Sequence, residues 1–175
     1  MMARLFLASA LEPAYLLLPA RMASREASAM ILAICLQESG FRFRRQVVRY
    51  SEGQPVLGPA KGYAQFEMSG GILGVLRHET TRDHIRKVLD ALTYDYEILT
   101  SYTAIEHNDV LTAAYARLLL WSDPEPLPAY GQDETAWKYY LRTWRPGKPH
   151  RETWNEHLTE AWRIVGPIHD TEESM

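Results

Sequence analysis

The chain of 175 residues has one cysteine, Cys35. A single thiol excludes an internal disulfide and the cysteine-based zinc patterns. Basic residues are not in excess: 19 Lys and Arg stand against 22 Asp and Glu, for a net charge of −3 and a pI of about 6.1. The sequence thus lacks the electrostatic footprint of non-specific nucleic-acid binding. Long apolar runs are missing too. The opening MMARLFLASALEPAYLLLPARMAS starts like a signal peptide, but Glu12, Pro13 and Pro19 interrupt it. It reads as an amphipathic first segment of the domain, without stable membrane insertion. There is no phosphate-binding loop, nucleotide fingerprint, serine-hydrolase elbow, repeat or low-complexity tract. HETTRDH, residues 78–84, lacks the i, i+4 histidine pair of a zinc protease helix, so neither a metal nor a cofactor is expected.

What is present is 46% hydrophobic residues, enough for one globular domain with a substantial core. The expected domain spans 1–168, followed by a flexible C-terminal tail at 169–175. Ser24 is a plausible N-cap with Glu26 in the first turn. Ala27, Met30, Ile31, Ile34 and Cys35 then recur at helical spacing, with Cys35 in the core. Glu38 comes next in that series, and Gly40 follows as a stop signal. A carboxylate is thus expected at the end of a core-facing face, where an ionised form is costly.

Across residues 42–61 the character changes. RQVVRY is strand-like, SEGQ signals a turn, and PVLGPAKG is too rich in Pro and Gly for a helix, giving a short hairpin and loop. GYAQF follows, then SGG as a flexible point. Beyond it the pattern is helical. Ile85, Val88, Leu89, Leu92, Tyr96 and Leu99 trace one face; Leu111, Ala114, Tyr115 and Leu118 trace another. SDPEPLP breaks the chain. Trp137, Tyr140, Leu141 and Trp144 form an aromatic face stopped by RPGKP, and Trp154, Leu158, Ala161, Trp162 and Val165 mark a last helix. The expected class is α+β, mostly α-helical, with a small β element inserted after the glutamate-bearing helix.

A helix ending in Glu38-Ser39-Gly40-Phe41, a β excursion, and then Gly62-Tyr63-Ala64-Gln65 resembles the lysozyme-like superfamily, above all the lytic transglycosylases and phage lysozyme-like proteins. Their glutamate ends a helix as E-S-x-F, and a G-x-x-Q segment follows the β region. Ala113-Ala114-Tyr115-Ala116 resembles their A-A-Y-N, with alanine in place of the asparagine. WKYYLRTWRPGKP also looks like sequence in phage-encoded members. The resemblance covers residues 27–121. It implies a lysozyme-like fold and cleavage of the β-1,4 bond between N-acetylmuramic acid and N-acetylglucosamine in peptidoglycan. Glu38 would be the general acid/base, and Ser39, Tyr63, Gln65 and Tyr115 would contact substrate. It also implies a phage or prophage origin, glycan strands and virion or tail proteins as partners, and residence in a virion or host cytoplasm before delivery to the wall.

The residues alone leave alternatives. Protonating a glycosidic oxygen near neutral pH needs a carboxyl kept neutral by an apolar setting, which Glu38 suits. Glu38 could instead cap its helix or pair with Arg42, Arg44 or Arg45. Hydrolysis by two carboxylates needs a second acid. Glu52 and Glu67 are the candidates, and Glu67 is the better placed, unless it is a solvated loop carboxylate. Gln65 could satisfy loop backbone, and Tyr115 could be core. Trp137, Trp144, Trp154 and Trp162 read as core before sugar-stacking platform. A virion protein that keeps the scaffold without cutting glycan is the rival function.

Overall fold

The computed structural model describes residues 1–166, so the tail expected at 169–175 lies outside the described residues. The protein is mostly helical with one small two-stranded antiparallel sheet. The N-terminal segment is one helical run: α1 (Met2–Phe6), a wide turn Leu7–Leu11, and α2 (Glu12–Leu16). The wide turn precedes Pro13, which removes one amide donor from the ladder. Ala3, Phe6, Ala10, Leu11 and Ala14 bury one side of it, while Leu5 and Leu16 stay exposed. Among the described residues no helix is long and apolar enough to cross a membrane.

Helix α3 (Arg25–Ser39) starts where Ser24 Oγ accepts the Ala27 amide at 3.1 Å, with Glu26 in the first turn. It stops at Gly40, whose φ of +57° closes the last turn through Gly40 N–H to the Leu36 carbonyl. A side chain here would be strained, since left-handed backbone suits glycine. Every residue from 27 to 35 is buried, Cys35 included. The single apolar face expected from periodicity is therefore too narrow. α3 is a central helix covered all round, packed by the N-terminal run, by α7 (Asp109–Trp121) and by α9 (Arg151–Val165).

β1 (Arg45–Ser51) and β2 (Gln54–Lys61) form the hairpin. Glu52 and Gly53 turn it with φ of +51° and +77°, the two positive values that match strand twist. The register shifts twice along β1, between Arg45 and Val47 and between Val47 and Arg49. At the root, Lys61 and Phe66 exchange backbone hydrogen bonds of 2.9 and 2.8 Å, which closes the 62–65 loop. Gly62 is required there: a Cβ would lie 2.8 Å from Thr112 Oγ1 and 2.9 Å from the Ile105 carbonyl, so the loop presses directly on α7.

Two expectations need correction. The SGG segment is part of a helical turn, Met68–Ile72, kinked at Gly70 and continuous with α4 (Leu73–Arg77). Gly71 lets it lie against the Phe66 ring. The long helical face from Ile85 to Leu99 is also interrupted. α5 (Arg82–Ala91) ends, residues 92–97 are non-helical with Thr93 at φ +61°, and α6 (Ile98–Ala104) starts afresh, leaving Leu99 63% exposed. Leu92 and Tyr96 still pack on the core from the loop. α7 starts at Asn108, whose Oδ1 caps the Leu111 amide at 3.0 Å, and is buried from Leu111 to Leu118. α8 (Asp133–Trp144) and α9 complete the fold.

Candidate active site

A cleft of about 1360 Å³ opens where α3 ends. Its walls come from Phe43 and the hairpin that follows (Gln46, Val48), the loop and turn after it (Gln65, Glu67, Gly70), and α8 with the loop that follows (Tyr140, Trp144, Arg145). Glu38 stands on this cleft, partly buried. Burial pushes its carboxyl above the ordinary glutamate range; a hydrogen bond from Tyr140 acts against that rise, and the charge of Glu67 adds to it. Burial is the largest of the three influences, so the protonated form persists to higher pH than in an ordinary glutamate.

None of the alternative pairings of Glu38 forms, and Arg42 is in no ion pair among the described residues. Arg44 is bound bidentate to Asp109, with Nη2–Oδ2 at 2.7 Å. Arg45 reaches Glu106 at 3.9 Å. Among the described residues Glu38 forms no ion pair, and its side-chain partner is the Tyr140 hydroxyl, which donates to Oε1 at 2.7 Å. Tyr140 is buried and stacks on Trp154 with centroids 4.8 Å apart and planes 15° from parallel. Burial, with Glu38 beside it, drives the phenol well above its usual range, so it stays a neutral donor.

The backbone end of α3 is held from the other side. Gln37 Nε2 donates to the His150 carbonyl at 2.9 Å, and Oε1 lies 3.1 Å from the Thr153 hydroxyl and 2.9 Å from His157 Nδ1. One amide thus ties the residue before Glu38 to the start of α9. Trp144 Nε1 donates to the Ala64 carbonyl at 2.8 Å, fixing α8 to the loop carrying Gln65.

The residues singled out from sequence divide into two groups. Glu38, Gln65 and Glu67 line the cleft together, with Glu67 exposed. The Gln65 amide donates to the Gly62 carbonyl at 2.7 Å and holds its own loop closed at a φ of +53°. Ser39, Tyr63 and Tyr115, expected as substrate contacts, are placed differently from one another. Ser39 reaches the cleft edge, but its hydroxyl is committed: it donates between the Tyr63 and Cys35 carbonyls (2.7 and 3.0 Å) and accepts the Phe41 amide at 3.2 Å. Tyr63 is buried in an aromatic cluster with Phe6 and Phe41 under the Arg44 guanidinium. Tyr115 is fully buried mid-helix in α7 against Phe66, with the buried Ser101 hydroxyl as polar neighbour of its phenol. Ala116 beside it is fully buried too.

Sequence reasoning missed Tyr140 and Gln37. A signal existed for Tyr140: a hydroxyl on a core-facing aromatic row must find an acceptor, and Glu38 was the carboxyl in need of a donor. Gln37 carried no signal beyond its place next to Glu38. Trp137, Trp154 and Trp162 are core as read, while Trp144 is partly exposed on the cleft. Compared with protein-family models, with curated proteins and with solved structures, the chain matches none.

Proposed function

We propose that the chain is a lysozyme-like domain that cleaves peptidoglycan glycan strands, with Glu38 as the general acid/base. One observation carries this reading. A carboxyl without a cationic partner, kept protonated to higher pH than usual by burial and oriented by Tyr140, stands in a cleft whose volume exceeds the usual 300–1,000 Å³ of small-molecule sites. A polymer of sugar rings suits such a space. The acid protonates the departing glycosidic oxygen. In the transglycosylase route the resulting carboxylate then removes the proton from the sugar's own 6-hydroxyl, which attacks the anomeric carbon and closes a 1,6-anhydro ring. The order of the E-S-G-F and G-Y-A-Q segments supports this reading of fold and reaction. A phage or prophage source, with action as an endolysin or virion-associated protein, follows from the same resemblance.

A second reading rests on Glu67, which shares the cleft and whose charge acts on Glu38. As a base it would activate water, making the protein a muramidase. Digestion of purified cell walls followed by mass spectrometry separates these. Anhydro-muropeptides, one water lighter than hydrolysis products, with Glu67→Gln retaining most activity, are expected. Reducing ends together with an inactive Glu67→Gln would replace the transglycosylase by the muramidase. A clear absence of lysis in a zymogram would leave the non-cleaving virion protein.

A further inference from the structure

The cleft differs in charge from the molecule around it. The whole chain is net −3. The cleft lining has Arg77, Arg142, Arg145 and Lys148 against Glu38, Glu67 and Asp123. Asp123 is consumed by Arg142, at Nε–Oδ2 2.7 Å and Nη2–Oδ1 3.0 Å. That leaves Arg77, Arg145 and Lys148 against Glu38 and Glu67, and none of the three cations is in an ion pair among the described residues.

Their placement is specific. Arg77 ends α4 at one wall. Arg145 caps α8 in left-handed backbone, φ +50°, and Lys148 follows in the loop to α9 at another. All three are exposed, so they meet whatever enters the cleft without a desolvation cost of their own. Three unneutralised cations are few for a nucleic-acid backbone, whose binding scales with the number of phosphates contacted. They suit carboxylates carried at intervals on an otherwise neutral polymer, with the arginine forks offering paired donors.

We propose that this cationic lining recognises carboxylates on side branches of the glycan, so that strands bearing acidic peptide stems are selected over strands with neutral branches. The inference rests on the cleft being a glycan site and adds which glycan it prefers. The acidic branches lie along the cleft rim while the sugar backbone passes Glu38.

The test uses peptide-bearing wall strands and the same strands with stem carboxylates amidated by carbodiimide and ammonia. Wild type should cut the acidic strands roughly tenfold more efficiently, mainly through KM, and the preference should shrink as salt rises. The Arg145→Gln/Lys148→Gln variant should act on acidic strands at the rate seen with amidated ones, and Arg145→Glu/Lys148→Glu should reverse the preference. Equal cutting of both strands by wild type, or loss of rate on both alike in the variant, would overturn the proposal while leaving the cleavage reading intact. If neither strand is cut, the cleavage reading fails by itself, and co-sedimentation with the two insoluble strands decides. Retention on acidic strands alone, abolished in the Gln variant, supports the selection; equal retention on both overturns it.

Discussion

Two carboxyl groups stand at the ends of the two central helices, on the same cleft, and their surroundings drive them in opposite directions. Glu38 finishes α3 with a phenol for company, and burial raises it above the ordinary range. Asp123 follows α7 and accepts both arms of Arg142, with a further bond from the Glu125 amide at 3.0 Å, and the arginine holds it below the ordinary range. The helices are alike in being covered along their length. What differs is whether a cation waits where the helix ends. Separation of two titratable groups in this way is the pattern expected of a proton donor beside a fixed structural anion, and it bears on the proposed role of Glu38.

The largest expected effect is on the donor side. Glu38→Gln keeps the shape and removes the proton. Wall clearing should fall by roughly 10²–10⁴-fold while the circular dichroism spectrum is unchanged. Equal clearing would erase the distinction between the two carboxyls. Tyr140→Phe should cost about tenfold, the scale of a hydrogen bond to an ionisable group. Its signature is the pH profile: that hydrogen bond favours the ionised form of Glu38, so without it the alkaline limb of activity should move to higher pH. A fall in rate with an unmoved limb would make Tyr140 a packing residue.

Stability should divide along the same line. A raised folded pKa at Glu38 stabilises the native state below the unfolded value, and that contribution is lost as pH rises through the folded one. A depressed pKa at Asp123 contributes above the unfolded value and is lost as pH falls through the folded one. Melting curves from acid to neutral pH should show Glu38→Gln gaining on wild type as pH rises past the ordinary glutamate range. Asp123→Asn should differ most from wild type at neutral pH and converge with it in acid. Arg142 is half exposed, so the neutral-pH cost of Asp123→Asn should stay at or under about 1 kcal/mol. The smallest effect is expected at Tyr115→Phe. It removes a buried hydroxyl whose polar neighbour is the equally buried Ser101 hydroxyl, and both the unfolding free energy and the barrier to clearing should stay within about 0.5 kcal/mol of wild type.

Much of the frame was legible because local chemistry announces it. Ser24, Gly40, the Glu52-Gly53 turn and the proline-rich break after Ser122 each act within a few residues, and each appears where expected. The interruption at 92–97 was illegible because no Gly or Pro marks it; the apolar spacing runs on while Thr93 takes the left-handed backbone. The choice of tyrosine was illegible for a different reason. Tyr115 and Tyr140 both sit on apolar faces at helical spacing. Only the packing of α8 beside the end of α3 opens one toward Glu38 and seals the other behind Phe66. Ser39 and Tyr63 belong to the motif segments, but the Ser39 hydroxyl is bound to backbone at the cleft edge and the Tyr63 ring is buried in an aromatic cluster.

The hairpin has a consequence for how the protein behaves in concentrated solution. Both strands of a two-stranded sheet are edges, and Val48, Tyr50 and Leu57 lie exposed on them. Such an edge invites strand addition from another molecule. Here β2 carries Pro55 and Pro59, which have no amide to donate, and β1 shifts register twice within Arg45–Ser51. Missing amides on one strand and register shifts on the other both work against a regular added ladder. The hairpin can therefore extend its apolar side chains into solvent while resisting the stacking that leads to fibrils.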